Sequence, residues 1–110
     1  MLTIIGGSAF YNSRIRSISF VGSRVHTIGS SAFHASQSLT SVELVGSLVT
    51  TIGEGAFYGC IALASIELAG TLVTTIGGQA FRGTGLVGVN FTGTRVDTIG
   101  YSAFQGCASL

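Results

Sequence analysis

The chain has 110 residues, of which 46% are apolar and 8% charged, and a formal charge of +1. That is too apolar for a disordered chain and too neutral for the basic stripe a nucleic-acid partner would want, so no nucleic-acid binding is expected. Lysine and proline are absent while glycine occurs 17 times, so the turns must be made with glycine.

Residues 1–10 lack a basic region followed by a long apolar one, so no signal peptide is expected in this segment. No run approaches the ~18 apolar residues of a membrane span, and no membrane insertion is expected. Within the same ten residues comes the first copy of a motif, Ile5-Gly6-Gly7-Ser8-Ala9-Phe10. Ile-Gly-x-x-Ala-Phe then recurs from Ile28, Ile52, Ile76 and Ile99, at offsets of 23, 24, 24 and 23 residues. A fixed period of this size predicts a stacked solenoid, because one unit cannot bury its apolar face alone.

After each phenylalanine a second pattern opens, apolar-x-x-apolar-x-apolar. Its copies are Ile15/Ile18/Phe20, Leu39/Val42/Leu44, Leu63/Ile66/Leu68 and Leu86/Val89/Phe91. The alternation in its last three positions predicts a strand with one buried face. A glycine follows each copy (Gly22, Gly46, Gly70, Gly93) and should turn the chain. The threonine-rich Val-x-x-Ile stretch after it reads as a second, short strand. Ala-Phe and the next few residues are too short for an ordinary α-helix and predict a 3₁₀ or β-turn return. The expectation is therefore one domain over 1–110, about four and a half coils, with a parallel β-sheet of long strands, a second short-strand side and no long α-helix. Phe10, Phe33, Phe57, Phe81 and Phe104 should stack as a column inside it.

The chain starts and stops inside a repeat, which suggests a portion of a longer array. Leu2, Ile4 and Ile5 at one end and Leu110 at the other would face water, since no polar cap is apparent. Flanking repeats, a neighbouring domain or another copy stacked end to end would cover them.

Residues 49–68 carry the fullest copy, Val-x-x-Ile-Gly-x-x-Ala-Phe-x-x-Cys-x-x-Leu followed by Ile66 and Leu68. This pattern resembles the BspA-like leucine-rich repeat, and the resemblance covers essentially the whole chain. It departs in using glycine at the corner where that family often has proline. The resemblance implies a curved right-handed solenoid. It also implies a non-enzymatic protein-binding role in a cell-surface or secreted adhesin or antigen, with a host or extracellular-matrix protein as ligand. A structural segment that packs end to end without a specific ligand is the other reading.

Cys60 and Cys107 share a column with Ser13, Ser36 and Thr84. Two coils separate them, ~10 Å by strand spacing, too far for a disulfide or a shared zinc. Buried thiols hydrogen-bonding in a polar ladder are expected. His26 and His34 fall on different columns at surface-type positions and are expected to be solvated. No triad arrangement recurs, and no enzyme, metal or cofactor is expected. Gly83-Thr84-Gly85-Leu86-Val87-Gly88 matches a dinucleotide fingerprint in letters only, because it leads into a strand rather than a helix.

Two outward columns remain as candidate binding positions. Ser19, Glu43, Glu67 and Asn90 lie on the outer face of the long strand, the side that lines the concave surface in leucine-rich repeats. Glu43 and Glu67 should be one strand spacing apart and repel mildly, a cost that a cationic partner would offset. Asn90-Phe91-Thr92 is also a glycosylation sequon, meaningful only in a eukaryotic secretory pathway. Leu48 and Leu72, flanked by Arg24 and Arg95, could make a small apolar patch or tuck against the next coil.

Overall fold

The computed structural model describes residues 3–110, so Leu2 lies outside the described residues. Strand β1 is Ile4–Ile5, β2 Ser17–Ser19, β3 Thr27–Ile28, β4 Ser41–Glu43, β5 Thr51–Ile52, β6 Thr75–Ile76 and β7 Thr98–Ile99. All pairings are parallel, as coils circulating in one direction require. Among the described residues there is no helix.

The sheet is weighted opposite to the expected way. The continuous sheet is the short-strand side, with five strands in the order β1-β3-β5-β6-β7. The long-strand side pairs only once, β2 with β4, with Ser19 opposite Glu43. The ladder stops where Glu67 would come into register beside Glu43, and opposed like charges disfavour pairing there. Beyond that point Ala64, Gly85 and Gly88 lower the strand propensity further.

The glycine after each Ile is dictated by the neighbouring coil. The Gly53 N–H donates to the Ile28 carbonyl at 2.8 Å. A Cβ on Gly53 would lie 2.7 Å from that same oxygen. Gly29 and Gly77 face backbone equally closely, and only Gly6, in the first coil, has open space. The corner glycine has a different reason. Ser47 N–H donates to the Leu44 carbonyl, closing a four-residue turn in which Gly46 sits third with φ +83°. A type II turn requires positive φ at that place.

The return is built of overlapping β-turns rather than a 3₁₀ helix. In the third coil, Ala56 donates to Gly53, Tyr58 to Gly55 and Cys60 to Phe57, each three residues back. The intervening N–H groups of Gly55, Phe57 and Gly59 donate to carbonyls of the next coil. Every donor from Gly55 to Cys60 is thus used, half locally and half between coils, which is how an irregular segment can be buried. The turns need positive φ at every fourth residue, met by Gly55 and Gly59 here but by Ser31 and Ala35 in the coil before.

Inside the coils lies one core. Phe33, Phe57 and Phe81 are fully buried, with Ile28, Ile52, Ile76, Leu39, Leu63 and Leu86 around them. The five phenylalanines stack at centroid spacings of 5.1, 5.2, 5.4 and 5.4 Å, within 10° of parallel. At the ends, Ile4 and Leu110 are exposed as expected, whereas Ile5 is buried within the core cluster rather than facing water.

Candidate binding surface

Ser19, Glu43, Glu67 and Asn90 are all exposed, because the alternation of an extended backbone, in strands at Ser19 and Glu43 and unpaired at Glu67 and Asn90, turns them away from Ile18, Val42, Ile66 and Val89. Each stands three residues before a corner glycine. Three of them cap the turn that follows: Ser19 Oγ accepts from Val21 N–H at 3.2 Å, Glu67 Oε1 from Ala69 at 2.9 Å and Asn90 Oδ1 from Thr92 at 2.9 Å. An acceptor side chain bonding the backbone two residues on is a local turn device. Glu43 caps no turn in this way, and each capping side chain keeps its remaining polar capacity toward solvent. The sequence reading found the column but missed the capping. The constant three-residue spacing to glycine was the available signal.

Around the same corner, Leu48 is about half exposed and Leu72 partly buried. Val21 and Val45 stand exposed in the turn itself. A Cβ on Gly46 would lie 3.9 Å from Val21 Cγ1, so Val21 and the second corner adjoin. The apolar strip is therefore a ridge of Val21, Val45, Leu48 and Leu72, with Arg24 and Arg95 exposed at its two ends.

The cysteine column is internal. Ser36 Oγ donates to the Phe10 carbonyl at 2.8 Å, Cys60 Sγ to Phe33 at 3.1 Å and Cys107 Sγ to Phe81 at 3.0 Å. Ser13 and Ser36, and Thr84 and Cys107, also bond to each other. Both thiols are free and buried, as expected. Burial pushes the Cys60 thiol up to about 11, against a smaller lowering by the Ser36 backbone. It stays protonated and is no nucleophile at neutral pH.

His26 is exposed and bonds Thr27 Oγ1 through Nδ1 at 2.9 Å. His34 differs from expectation. Its ring is half-buried between Tyr11 (4.8 Å) and Tyr58 (4.7 Å), and the Arg82 guanidinium covers the far face of that stack, 5.5 Å from the Tyr58 centroid. The Nδ1 atom is buried with no hydrogen-bond partner. All four residues directly follow a core phenylalanine, a register readable in the repeat alignment. What the sequence concealed is that surface side chains at coil spacing have no choice but to stack.

Among the described residues no cluster of three or more His, Cys, Asp or Glu could hold a metal, and no helix is long and apolar enough to cross a membrane. Gly83 and Gly85 belong to a return and its exit loop, which leaves the dinucleotide pattern without the helix it needs.

The chain matches the BspA type leucine rich repeat region in six copies over residues 1–110. It belongs to the BspA-type leucine-rich repeat family. A crystal structure of a leucine-rich repeat protein from Bacteroides ovatus is similar to it, with 35% sequence identity and a TM-score of 0.75. The match covers 98% of this chain and 33% of that one, so the chain spans about a third of that protein's length. No curated protein matches the chain. The family and the fold make this a repeat module of the kind used for protein interaction.

Proposed function

We propose that the chain is a non-enzymatic protein-binding module of a cell-surface or secreted adhesin or antigen. The carrying observation is a contrast between layers. Beneath the surface every coil repeats the same Ile, Phe and Leu positions, while the outer strip changes chemistry coil by coil as Ser19, Glu43, Glu67, Asn90. These four residues, with the adjoining ridge at Leu48 and Leu72, form the proposed contact surface for a protein ligand. A host or extracellular-matrix protein presenting cationic groups would offset the repulsion between the two glutamates. The test is binding of the chain to immobilised extracellular-matrix proteins at fixed salt. Glu43→Gln/Glu67→Gln should weaken binding at least tenfold and flatten its salt dependence. Unchanged binding would remove this strip as the site.

A second reading, a structural segment packing end to end, is favoured by a different observation. Ile99 is 48% exposed although Ile28, Ile52 and Ile76 are fully buried. Charge also segregates along the axis, with three arginines and no acid before Glu43, then two arginines against four carboxylates. This reading expects a salt-sensitive rise in mass with concentration by light scattering, and a constant monomer mass would remove it.

A further inference from the structure

The return-to-strand connection is one residue shorter in the first coil than in the second. Ile15 comes five positions after Phe10, and Leu39 six positions after Phe33. The backbones are joined at Asn12 to His34 and again at Thr40 to Arg16, at 2.7 and 2.8 Å. Between those two ties the longer connection cannot follow the shorter one. The mismatch opens a cleft of about 280 Å³ lined by Asn12, Ser13, Arg14, Ala35, Gln37 and Ser38.

The opposite mismatch, a long third connection followed by a short fourth, leaves no such room. Gly85 occupies the place of Arg14 there, and a Cβ on it would strike the Ile61 carbonyl oxygen. The short-then-long step recurs from the fourth coil to the fifth, Phe81 to Leu86 and then Phe104 to Leu110, but with Gly85 in the place of Arg14 that step carries no cation there. Asn12, Arg14, Gln37 and Ser38 are exposed at its rim, while Ser13 is tied to Ser36 beneath it. Ala35, held at φ +59°, presents only a methyl group on one wall.

We propose that this cleft is a binding site for a compact oxyanion group, a carboxylate, sulfate or phosphate borne by a small polar ligand. The Arg14 guanidinium is a permanent cation whose planar fork matches such groups. The Asn12 and Gln37 amides and the Ser38 hydroxyl supply further donors. No carboxylate lines the cleft, and Arg14 is the one charged residue in its lining. The volume is at the lower edge of small-molecule sites, which limits the occupant to about one sugar or one free anion. This site lies outside the long-strand strip and does not depend on it.

The test is amide-resolved NMR of the whole chain, titrated separately with inorganic phosphate, sulfate, glucuronate and uncharged glucose. The expected result is saturable shifts confined to residues 12–14 and 35–38 with the anions and none with glucose. The ranking of glucuronate against phosphate distinguishes a carboxylate-type from a phosphate-type ligand. Arg14→Gln should weaken the response at least tenfold, whereas Arg24→Gln, which removes the same charge elsewhere, should change it less than twofold. The spectra themselves report that each variant is folded. Shifts that never saturate, that scatter over the surface, that fall equally in both variants or that glucose reproduces would overturn the proposal.

Discussion

Two columns of stacked side chains run along this solenoid one residue apart in sequence, and they stack differently. The inner rings, Phe10 to Phe104, lie within 10° of parallel at 5.1–5.4 Å. The outer rings, Tyr11, His34 and Tyr58, come as close, 4.7–4.8 Å, but tilt by 31° and 46°. Coil spacing therefore sets the distance in both columns, and enclosure sets the angle. Buried Phe20 presses edge-on against Phe33 at 81°, and Phe91, partly open to solvent, meets Phe104 edge-on at 79°. Outside, one flank of each ring meets water and nothing enforces parallelism.

The comparison can be broken most severely from the inside. Phe57→Ala removes a fully buried ring from the middle of the column, and the two flanking rings are held by their own coils and cannot close the gap. The expected loss is about 3–5 kcal/mol in chemical denaturation. A loss below ~1 kcal/mol would mean that the column is not the packed interior described.

Gly53→Ala attacks the shared spacing instead of one column. Its new Cβ would meet Ile28 O, Gly29 C and Ser30 N at 2.7–2.8 Å, all backbone atoms that cannot rotate away. Coils two and three would have to separate, loosening both columns together. A loss of about 1–3 kcal/mol is expected. The matched control is Gly6→Ala, where nothing lies within 4 Å, and which should stay within ~0.5 kcal/mol of the parent. Equal effects at the two glycines would refute the close-approach account.

The polar ladder beside the inner column gives a pH signature. The Cys60 thiol titrates at about 11 in the folded chain against 9.0 for an ordinary thiol. The folded state thus holds this proton more tightly. The contribution is complete below pH 9 and is lost as pH rises through 11, on the order of 2 kcal/mol in total. Cys60→Ser places here the residue that already serves as Ser36 in the coil before. It should keep the bond to Phe33 while abolishing this alkaline decline in urea titrations between pH 8 and 11. A decline that persists unchanged would assign it to another group.

How much of this was legible in the sequence follows from the same division between inside and outside. The Phe column, the thiol ladder and the glycine corners were readable because period and burial act on them together, so every coil repeats the answer. The reversed weight of the two sheets was not readable. It follows the identity of outward residues, like charges at Glu43 and Glu67 and weak strand formers at Ala64, Gly85 and Gly88, which the repeat pattern treats as free positions. His34 was misread as solvated for a related reason. Its own identity is that of a surface residue, and only the accident of tyrosines at the same register in both neighbouring coils half-buries it. The cleft at Arg14 was hidden in plain view, since the slip between 23 and 24 residues announced a mismatch without saying which side would open.

The smallest expected effect tests the outer column alone. Tyr58→Ala uncovers one face of His34 and removes the ring beneath Arg82, but leaves the backbone turns and Phe57 untouched. Tilted pairs that are half open to water should contribute about 0.5–1.5 kcal/mol, well under the cost at the adjacent Phe57. Tyr58→Leu, which keeps apolar cover but removes the π face, separates the two components. If enclosure rather than ring chemistry governs this column as well, the leucine variant recovers most of the loss. If ring stacking itself holds the outer column, leucine is no better than alanine, and the His34 ring signals shift equally in both. The second outcome would overturn the view that distance is set by the coil and only the angle by burial, because the outer rings would then be contributing to the coil spacing themselves.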